Sequence, residues 1–198
     1  MRVALIPCLA VLIAGCGPSL APSAAGSPRT AQSSVASAPR VEPPPVSPPA
    51  APGTNLPSFA CADTGGGRTG VANAVAARVA AQSGFDRFVL QFDSSVPTYT
   101  VKRQAKPVFA NGASGQTITL SGNAGVLVQV HSATGTSTFT GPTAFTQPEY
   151  LVLNEARLTG DFEGYVSWGL GLSRAACMRT FTLADPPRLV VDFQTASG

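Results

Sequence analysis

Eleven of the eighteen prolines in this chain fall between residues 17 and 57, a stretch with no aromatic residue. It includes Pro43-Pro44-Pro45 and Pro48-Pro49, and Ala, Ser and Gly fill most of the remainder. Proline has no backbone N–H to give to a helix or a ladder. Small side chains bury too little apolar surface to offset the entropy of ordering the chain. Residues 17–57 are therefore expected to be a disordered Pro/Ala/Ser-rich tether, a mixture of polyproline II and coil. Its 41 residues would reach roughly 130 Å fully extended and about 35 Å as a flexible coil. Any folded domain must come from residues 58–198, a length near the commonest domain size.

The chain opens with a positive charge at Arg2 and an apolar run over residues 3–13 broken by Pro7. That run is shorter than the ~20 apolar residues of a membrane span. It reads as the apolar part of a signal peptide over residues 1–15, with small Ala14 and Gly15 at the processing site. Leu12-Ile13-Ala14-Gly15-Cys16 resembles the bacterial lipobox. The resemblance implies that Cys16 becomes the first mature residue and carries diacylglycerol through a thioether. Acyl chains such as palmitate would then anchor the protein on the extracytoplasmic side of a bacterial membrane. Several long chains anchor stably, whereas one alone is marginal. The alternative is an ordinary secretory signal with an incidental cysteine.

Without residues 1–15, twelve Lys and Arg face ten Asp and Glu, a net charge of +2. The longest basic run is Lys102-Arg103. Neither feature is the footprint of a nucleic-acid partner. Of the four cysteines, Cys8 leaves with the signal peptide and Cys16 takes the lipid. Cys61 and Cys177 remain, and export favours their oxidation. One pair allows one connectivity, Cys61–Cys177, and two free buried thiols are the alternative. The bridge would close a loop of over 100 residues, worth about 4–5 kcal/mol in the chain-entropy model.

The pattern over residues 58–198 is β. Phe88, Leu90 and Phe92 alternate with Arg87, Val89 and Gln91, and Val166, Trp168, Leu170 and Leu172 alternate with Ser167, Gly169 and Gly171. Strands are also expected over 98–102, 150–153, 179–183 and 188–193. Residues 117–120 and 126–130 flank Gly122-Asn123-Ala124-Gly125 and read as a hairpin. Residues 71–82 are Ala-rich with Val71, Val75 and Val79 at helical spacing. Even so, 78–82, Ser83-Gly84 and 87–92 also make a hairpin, so 76–82 is read as strand and 65–75 is left unassigned. Period-two alternation with Gly, Pro and Asn punctuation predicts an all-β fold, a single antiparallel β-sandwich.

Little in the chain points to catalysis. Gly65-Gly66-Gly67-Arg68-Thr69-Gly70 matches a dinucleotide fingerprint, and Asp86 follows at about the right distance. The buried strand that should precede it is missing, so a flexible glycine loop is the better reading. Val71 stands where a P-loop needs Lys. His131 is the sole histidine, it follows an apolar strand, and no G-x-S-x-G elbow exists. It reads as a surface residue at a strand end. Zinc and calcium need more clustered ligands than one His, two oxidised Cys and the pair Asp161/Glu163 supply. That pair reads as turn and edge residues rather than the acid and base of a glycoside hydrolase. No cofactor, metal or catalytic residue is expected.

Several segments together resemble the AMIN-like domain of bacterial lipoproteins. They are Gly84-Phe85-Asp86-Arg87-Phe88-Val89-Leu90-Gln91-Phe92, Thr138-Phe139-Thr140-Gly141-Pro142, Gly160-Asp161-Phe162-Glu163-Gly164 and Trp168-Gly169-Leu170-Gly171-Leu172. The terminal signature, from Phe181-Thr182-Leu183 through Asp185-Pro186-Pro187-Arg188 to Val191-Asp192-Phe193, is the closest match. The resemblance spans residues 76–194, and the chain departs from it in the Ala-rich strand before Gly84. It implies a β-sandwich related to the AMIN domains that accompany wall amidases and secretin-type transport proteins. It also implies a non-catalytic module for binding or localisation, with peptidoglycan or an envelope protein as partner.

Asp86, Arg87, Arg188 and Asp192 are expected to form interstrand ion pairs, with ligand contact by Arg87 and Arg188 as the second reading. Tyr165 and Trp168 fall on opposite faces of one strand. One of them should be core and the other exposed, where it could stack on a sugar ring. A structural or assembly lipoprotein acting through strand pairing is the alternative function, and a wall hydrolase using paired carboxylates the remote one. Replacing the lipid-bearing residue, Cys16→Ser, is expected to move the protein from the detergent-rich to the aqueous layer in phase partitioning. Retention in the detergent layer would count against the anchor.

Overall fold

The alternation over residues 85–92 sets the plan of the domain: Asp86, Phe88, Leu90 and Phe92 are buried, and Phe85, Arg87, Val89 and Gln91 lie partly exposed on the other side. The computed structural model describes residues 55–131, 133–134 and 139–196. The signal peptide, Cys16 and the expected tether up to residue 54 lie outside the described residues, as does Thr138 of the middle motif.

In chain order the strands are β1 (Thr64–Gly66), β2 (Ala72–Gln82), β3 (Phe85–Phe92), β4 (Tyr99–Gln104), β5 (Val108–Ala110), β6 (Thr117–Thr119), β7 (Ala124–His131), β8 (Ala133–Thr134), β9 (Ala144–Thr146), β10 (Leu153–Phe162), β11 (Tyr165–Leu172), β12 (Met178–Ala184) and β13 (Pro187–Gln194). No helix among the described residues is long and apolar enough to cross a membrane. One sheet has six strands in the order β1-β4-β7-β11-β10-β9, and the other has five in the order β12-β13-β3-β2-β8. All the pairings are antiparallel except the two-residue pairing of β8 with β2. The expected fold, an all-β antiparallel sandwich, is what the chain adopts.

Hairpins follow local chemistry. Ser83-Gly84 turns β2 into β3, which pair from Gln82↔Phe85 to Ala74↔Phe92. The helical spacing of the valines loses to this ladder. Between β10 and β11, Glu163 and Gly164 both have positive φ, +49° and +78°. That is the backbone of a two-residue turn whose twist suits a hairpin. Asp185-Pro186 turns β12 into β13, which begins at Pro187.

One apolar core fills the space between the sheets. Trp168 on β11 is fully buried, with ring centroids of Phe88, Phe139 and Phe145 at 5.3, 5.9 and 6.2 Å. Its Nε1 has no hydrogen-bond partner among the described residues. An unmet buried donor costs about 1–3 kcal/mol. Burying a ring of roughly 200 Å² returns about 5 kcal/mol, so packing wins. Trp168 is a ligand-contact candidate by sequence, but its side chain has no surface to give.

The outward side of β11 is covered as well at its glycine end, Gly169 and Gly171. The β5–β6 hairpin packs there, and Phe109 sits on a glycine floor. A Cβ at Gly169 would lie 2.6 Å from that ring, and one at Gly125 3.0 Å. Glycine is required here by close approach. The expected hairpin of 117–120 with 126–130 does not form. Residues 117–119 pair with β5, and β7 pairs with β4 and β11.

The expected strand over 150–153 reduces to Leu153, the first residue of β10. Its neighbours are held by a buried carboxylate instead of a ladder. Asp86 Oδ2 accepts the N–H of Val152 at 2.7 Å and of Leu153 at 3.0 Å. Asp86 thus pins the entry to β10 against β3 and makes no ion pair among the described residues. Cys61 and Cys177 are disulfide-bonded across a separation of 116 residues. At the far end of the β2–β3 hairpin, Asp93 accepts Asn73 N and Nδ2 at 3.0 and 2.7 Å. The backbone N–H of Asn73 holds the Asp93 carboxyl below its ordinary pKa. Its contribution to stability is therefore present above the ordinary carboxylate range and is lost as pH falls through the lowered value.

Removing the buried acceptor, Asp86→Ala, is expected to cost about 3 kcal/mol by stranding two buried N–H groups. Asp86→Asn, which keeps one acceptor oxygen, should cost less. Urea midpoints at constant slope measure both, and a midpoint unmoved by Asp86→Ala would refute the pin.

Candidate functional site

The outer face of the five-stranded sheet gathers most of the motif residues. Alternation sends Phe85 and Arg87 of β3, Arg188 and Asp192 of β13, and Arg179 and Phe181 of β12 to the same side. Register then sets Arg87, Asp192 and Arg179 in one row across three strands. Arg87 donates from Nε and Nη2 to the two Asp192 oxygens at 2.6 and 2.9 Å, and Arg179 Nε donates to Oδ2 at 2.8 Å. Asp192 is wholly enclosed, while the Arg87 and Arg179 side chains keep 27% and 14% of their surface. Enclosing a carboxylate costs several kcal/mol, and three charge-assisted hydrogen bonds offset it.

Phenylalanines hold the guanidinium planes. The Arg87 carbon lies 5.0 Å from the Phe85 ring centre and 5.6 Å from Phe181. Arg179 lies 4.7 Å from Phe85 and 4.6 Å from Phe59. The order Phe181, Arg87, Phe85, Arg179, Phe59 is a cation–π ladder, each contact worth about 0.5–2 kcal/mol. Two further arginines share the face. Arg78 donates to Gln91 Oε1 at 3.0 Å. Arg188 donates to the backbone carbonyls of Pro186 and Asp185, both at 3.0 Å, and so clasps its own turn. Of the expected ion pairs, Arg87–Asp192 forms, while Asp86 and Arg188 take backbone partners. Four arginines around one enclosed carboxylate leave this face cationic.

The opposite side of the domain carries a different surface. Tyr165, paired with His131, stacks on it with ring centroids 4.6 Å apart and planes 23° from parallel. Tyr165 is 42% exposed. Beside it runs a groove floored by Gln129, Thr159 and Ser167 and bounded by Gly112 and Glu163. Gln129 Nε2 donates to Ser167 Oγ at 3.3 Å and Thr159 Oγ1 to the Ser167 carbonyl at 3.2 Å. Gly112 N donates to the Thr159 carbonyl at 2.7 Å, which ties the groove wall to β10.

The structure therefore separates the residues that sequence reading grouped. Arg87 and Arg188 lie on the five-stranded sheet, Tyr165 lies on the six-stranded one, and Trp168 lies between them. Cys16 lies outside the described residues. Arg179, Phe59 and Phe85 were missed. The signal for Arg179 is its strand parity, which matches that of Asp192 across the Asp185-Pro186 turn. Gly65 and Gly66 belong to β1, and the segment after Gly70 is strand β2 instead of the helix a phosphate loop needs. Asp161 is the last residue but one of β10, close to the turn that holds Glu163. Among the described residues no three His, Cys, Asp or Glu gather as metal ligands.

Comparison with family models matches residues 72–195 to the AMIN-like domain. Neither the curated proteins nor the solved structures gave a match. The matched span runs from the start of β2 past the end of β13, so it contains the whole Arg87–Asp192–Arg179 row. It also covers more than half of the 198 residues, and the chain belongs to the AMIN-like domain family.

Proposed function

We propose that the protein is a non-catalytic binding module of the bacterial cell envelope, held at a membrane by lipid on Cys16, and that its ligand is peptidoglycan. AMIN-like domains occur in bacterial envelope proteins and are in general binding modules. The observation that carries the reading is Tyr165, exposed and stacked on His131 beside a groove that mixes apolar surface with Gln129, Ser167 and Thr159.

A pyranose ring has an apolar face of C–H bonds and a rim of hydroxyl and acetamido groups. The free face of Tyr165 suits the first, and Gln129, Ser167 and Thr159 suit the second. The His131 stack fixes the tyrosine ring before any ligand arrives, so little side-chain entropy is left to lose on binding. A shallow groove of this kind accepts a stretch of polymer from the side, as an insoluble wall polymer requires. The tether expected before residue 58 gives the domain reach from the membrane to that polymer.

Sedimentation of the purified full chain with peptidoglycan sacculi tests the reading. Tyr165→Ala is expected to weaken binding about tenfold, or roughly 1.4 kcal/mol. Tyr165→Phe keeps the ring and should bind like the unaltered protein. Because Tyr165 is exposed, melting temperature should hardly move in either variant. Full binding by Tyr165→Ala would remove the ligand from this groove, and no sedimentation of the unaltered chain would end the peptidoglycan reading.

A further inference from the structure

We propose that the free edge of β12 accepts an extended acidic segment of a protein partner as an added strand. The site is separate from the Tyr165 groove, and its case begins with hydrogen-bond parity. Met178 exchanges both backbone bonds with Ala60, at 2.9 and 3.0 Å, on the side away from β13. Cys177, one residue earlier, gives its carbonyl to Gln194 on the β13 side. In an antiparallel ladder the direction alternates. Arg179, Phe181 and Leu183 therefore address β13, and the N–H and C=O groups of Thr180, Thr182 and Ala184 point to the open edge. Among the described residues no backbone group meets them; the contact made there is a side-chain bond from Thr64 Oγ1 to Thr180 Oγ1 at 3.1 Å.

The edge is also long and unguarded. The strands that end the sheets elsewhere, β1, β8 and β9, have two or three residues, and β12 has seven; β2 is also open beyond the two residues that β8 covers, but there the Val75 carbonyl is taken by Thr140 N. Proteins protect such edges with proline, lysine or a bulge. Arg179-Thr180-Phe181-Thr182-Leu183 offers none of these, and its register with β13 is unbroken. Space lies alongside: a groove is bordered by Thr182, Ala184 and Pro187 on one bank and by Gly67, Arg68 and Val96 on the other. A strand added to β12 would lie in that groove.

Charge selects the occupant. Arg68 stands on the far bank, and Arg179 and Arg188 stand on the sheet face beside the edge. Asp192 offsets one of its two arginines, so the row Arg87–Asp192–Arg179 keeps a single net positive charge, to which Arg188 and Arg68 add. A strand in this place sets every second side chain on the outer face that carries Arg179 and Arg188, and the others on the side of Thr180 and Thr182, a pattern that suits acidic and apolar residues in turn. The chain's own N-terminal segment is a poor candidate. Pairing continued from Ala60 would bring Ser58 opposite Thr180 and Leu56 opposite Thr182, yet the described chain makes one rung and leaves.

Fluorescence anisotropy on the full chain in detergent tests this with a short labelled peptide of alternating glutamate and valine. It is expected to bind at least tenfold more tightly than its lysine–valine counterpart, and than the same peptide N-methylated at alternate residues. Thr182→Pro removes one outward N–H and leaves the β13 ladder whole. It should lose about tenfold, whereas Thr182→Ala, which keeps that N–H, should not. Equal binding of the methylated peptide would overturn strand addition without reference to any variant, which covers the case in which Thr182→Pro misfolds. No binding of the glutamate peptide, or a concentration-dependent dimer abolished by Thr182→Pro, would overturn the acidic partner, the dimer by making the occupant a second copy. Tyr165→Ala should leave peptide binding unchanged, so failure of this site and failure of the peptidoglycan reading are told apart.

Discussion

Phe88 of β3 and Trp168 of β11 meet with ring centres 5.3 Å apart, and the two sheets are joined across that contact. Both strands lie within their sheets, so fixing one against the other fixes the inward parity of each. With Phe88 inward, Arg87 has to face out. With Trp168 inward, Ser167 and Tyr165 have to face the opposite solvent. A register slip of one residue on β3 would bury Arg87 and expose Phe88, at a cost of several kcal/mol for each. The two outer surfaces are thus consequences of the core, and their separation by a full sandwich follows from the same fact.

On the five-stranded sheet the enclosed carboxylate of Asp192 shows how a charged face is kept ordered. Isolated surface ion pairs contribute little because long side chains lose entropy and water screens them. Here the carboxylate is enclosed, three donors converge on it, and phenyl rings hold the donor planes. Removing one arginine would leave a buried charge half-paired, which costs about 3–5 kcal/mol. Arg87 and Arg179 therefore serve the fold first, and what they offer outward is a fixed positive potential.

Much of this was legible in the residues. The β3 alternation, the Ser83-Gly84 hairpin, the strands over 179–183 and 188–193 and the Cys61–Cys177 bridge all appear in the structure as read. These are local signals or pairings forced by count. The errors share a cause. Gly122-Asn123 does mark a change of direction, but a turn signal says nothing of which strand the chain meets next, and residues 117–119 went to β5. Gly169 and Gly171 mark one side of their strand without telling what lies against it, because glycine carries no sign of the neighbour it admits. Phe109, about sixty residues earlier in the sequence, fills that place. Residues 150–153 looked like strand by composition, while two of their N–H groups were claimed by Asp86 from another sheet. Arg179 was overlooked because its partner became visible only when β12 and β13 were paired.

The disulfide has a mechanical consequence. Anything that pulls on the chain ahead of Ala60 enters the domain beside Cys61, and the bridge to Cys177 hands the load straight to the root of β12. Tension therefore runs through a covalent shortcut into the five-stranded sheet at its terminal strand β12, and β1 is not the first strand to bear it. Without the bridge, the two backbone bonds at Met178 would carry the same force and break in succession. For any load that reaches the domain from its N-terminal side, the place where the chain is cross-linked decides how hard it can be pulled.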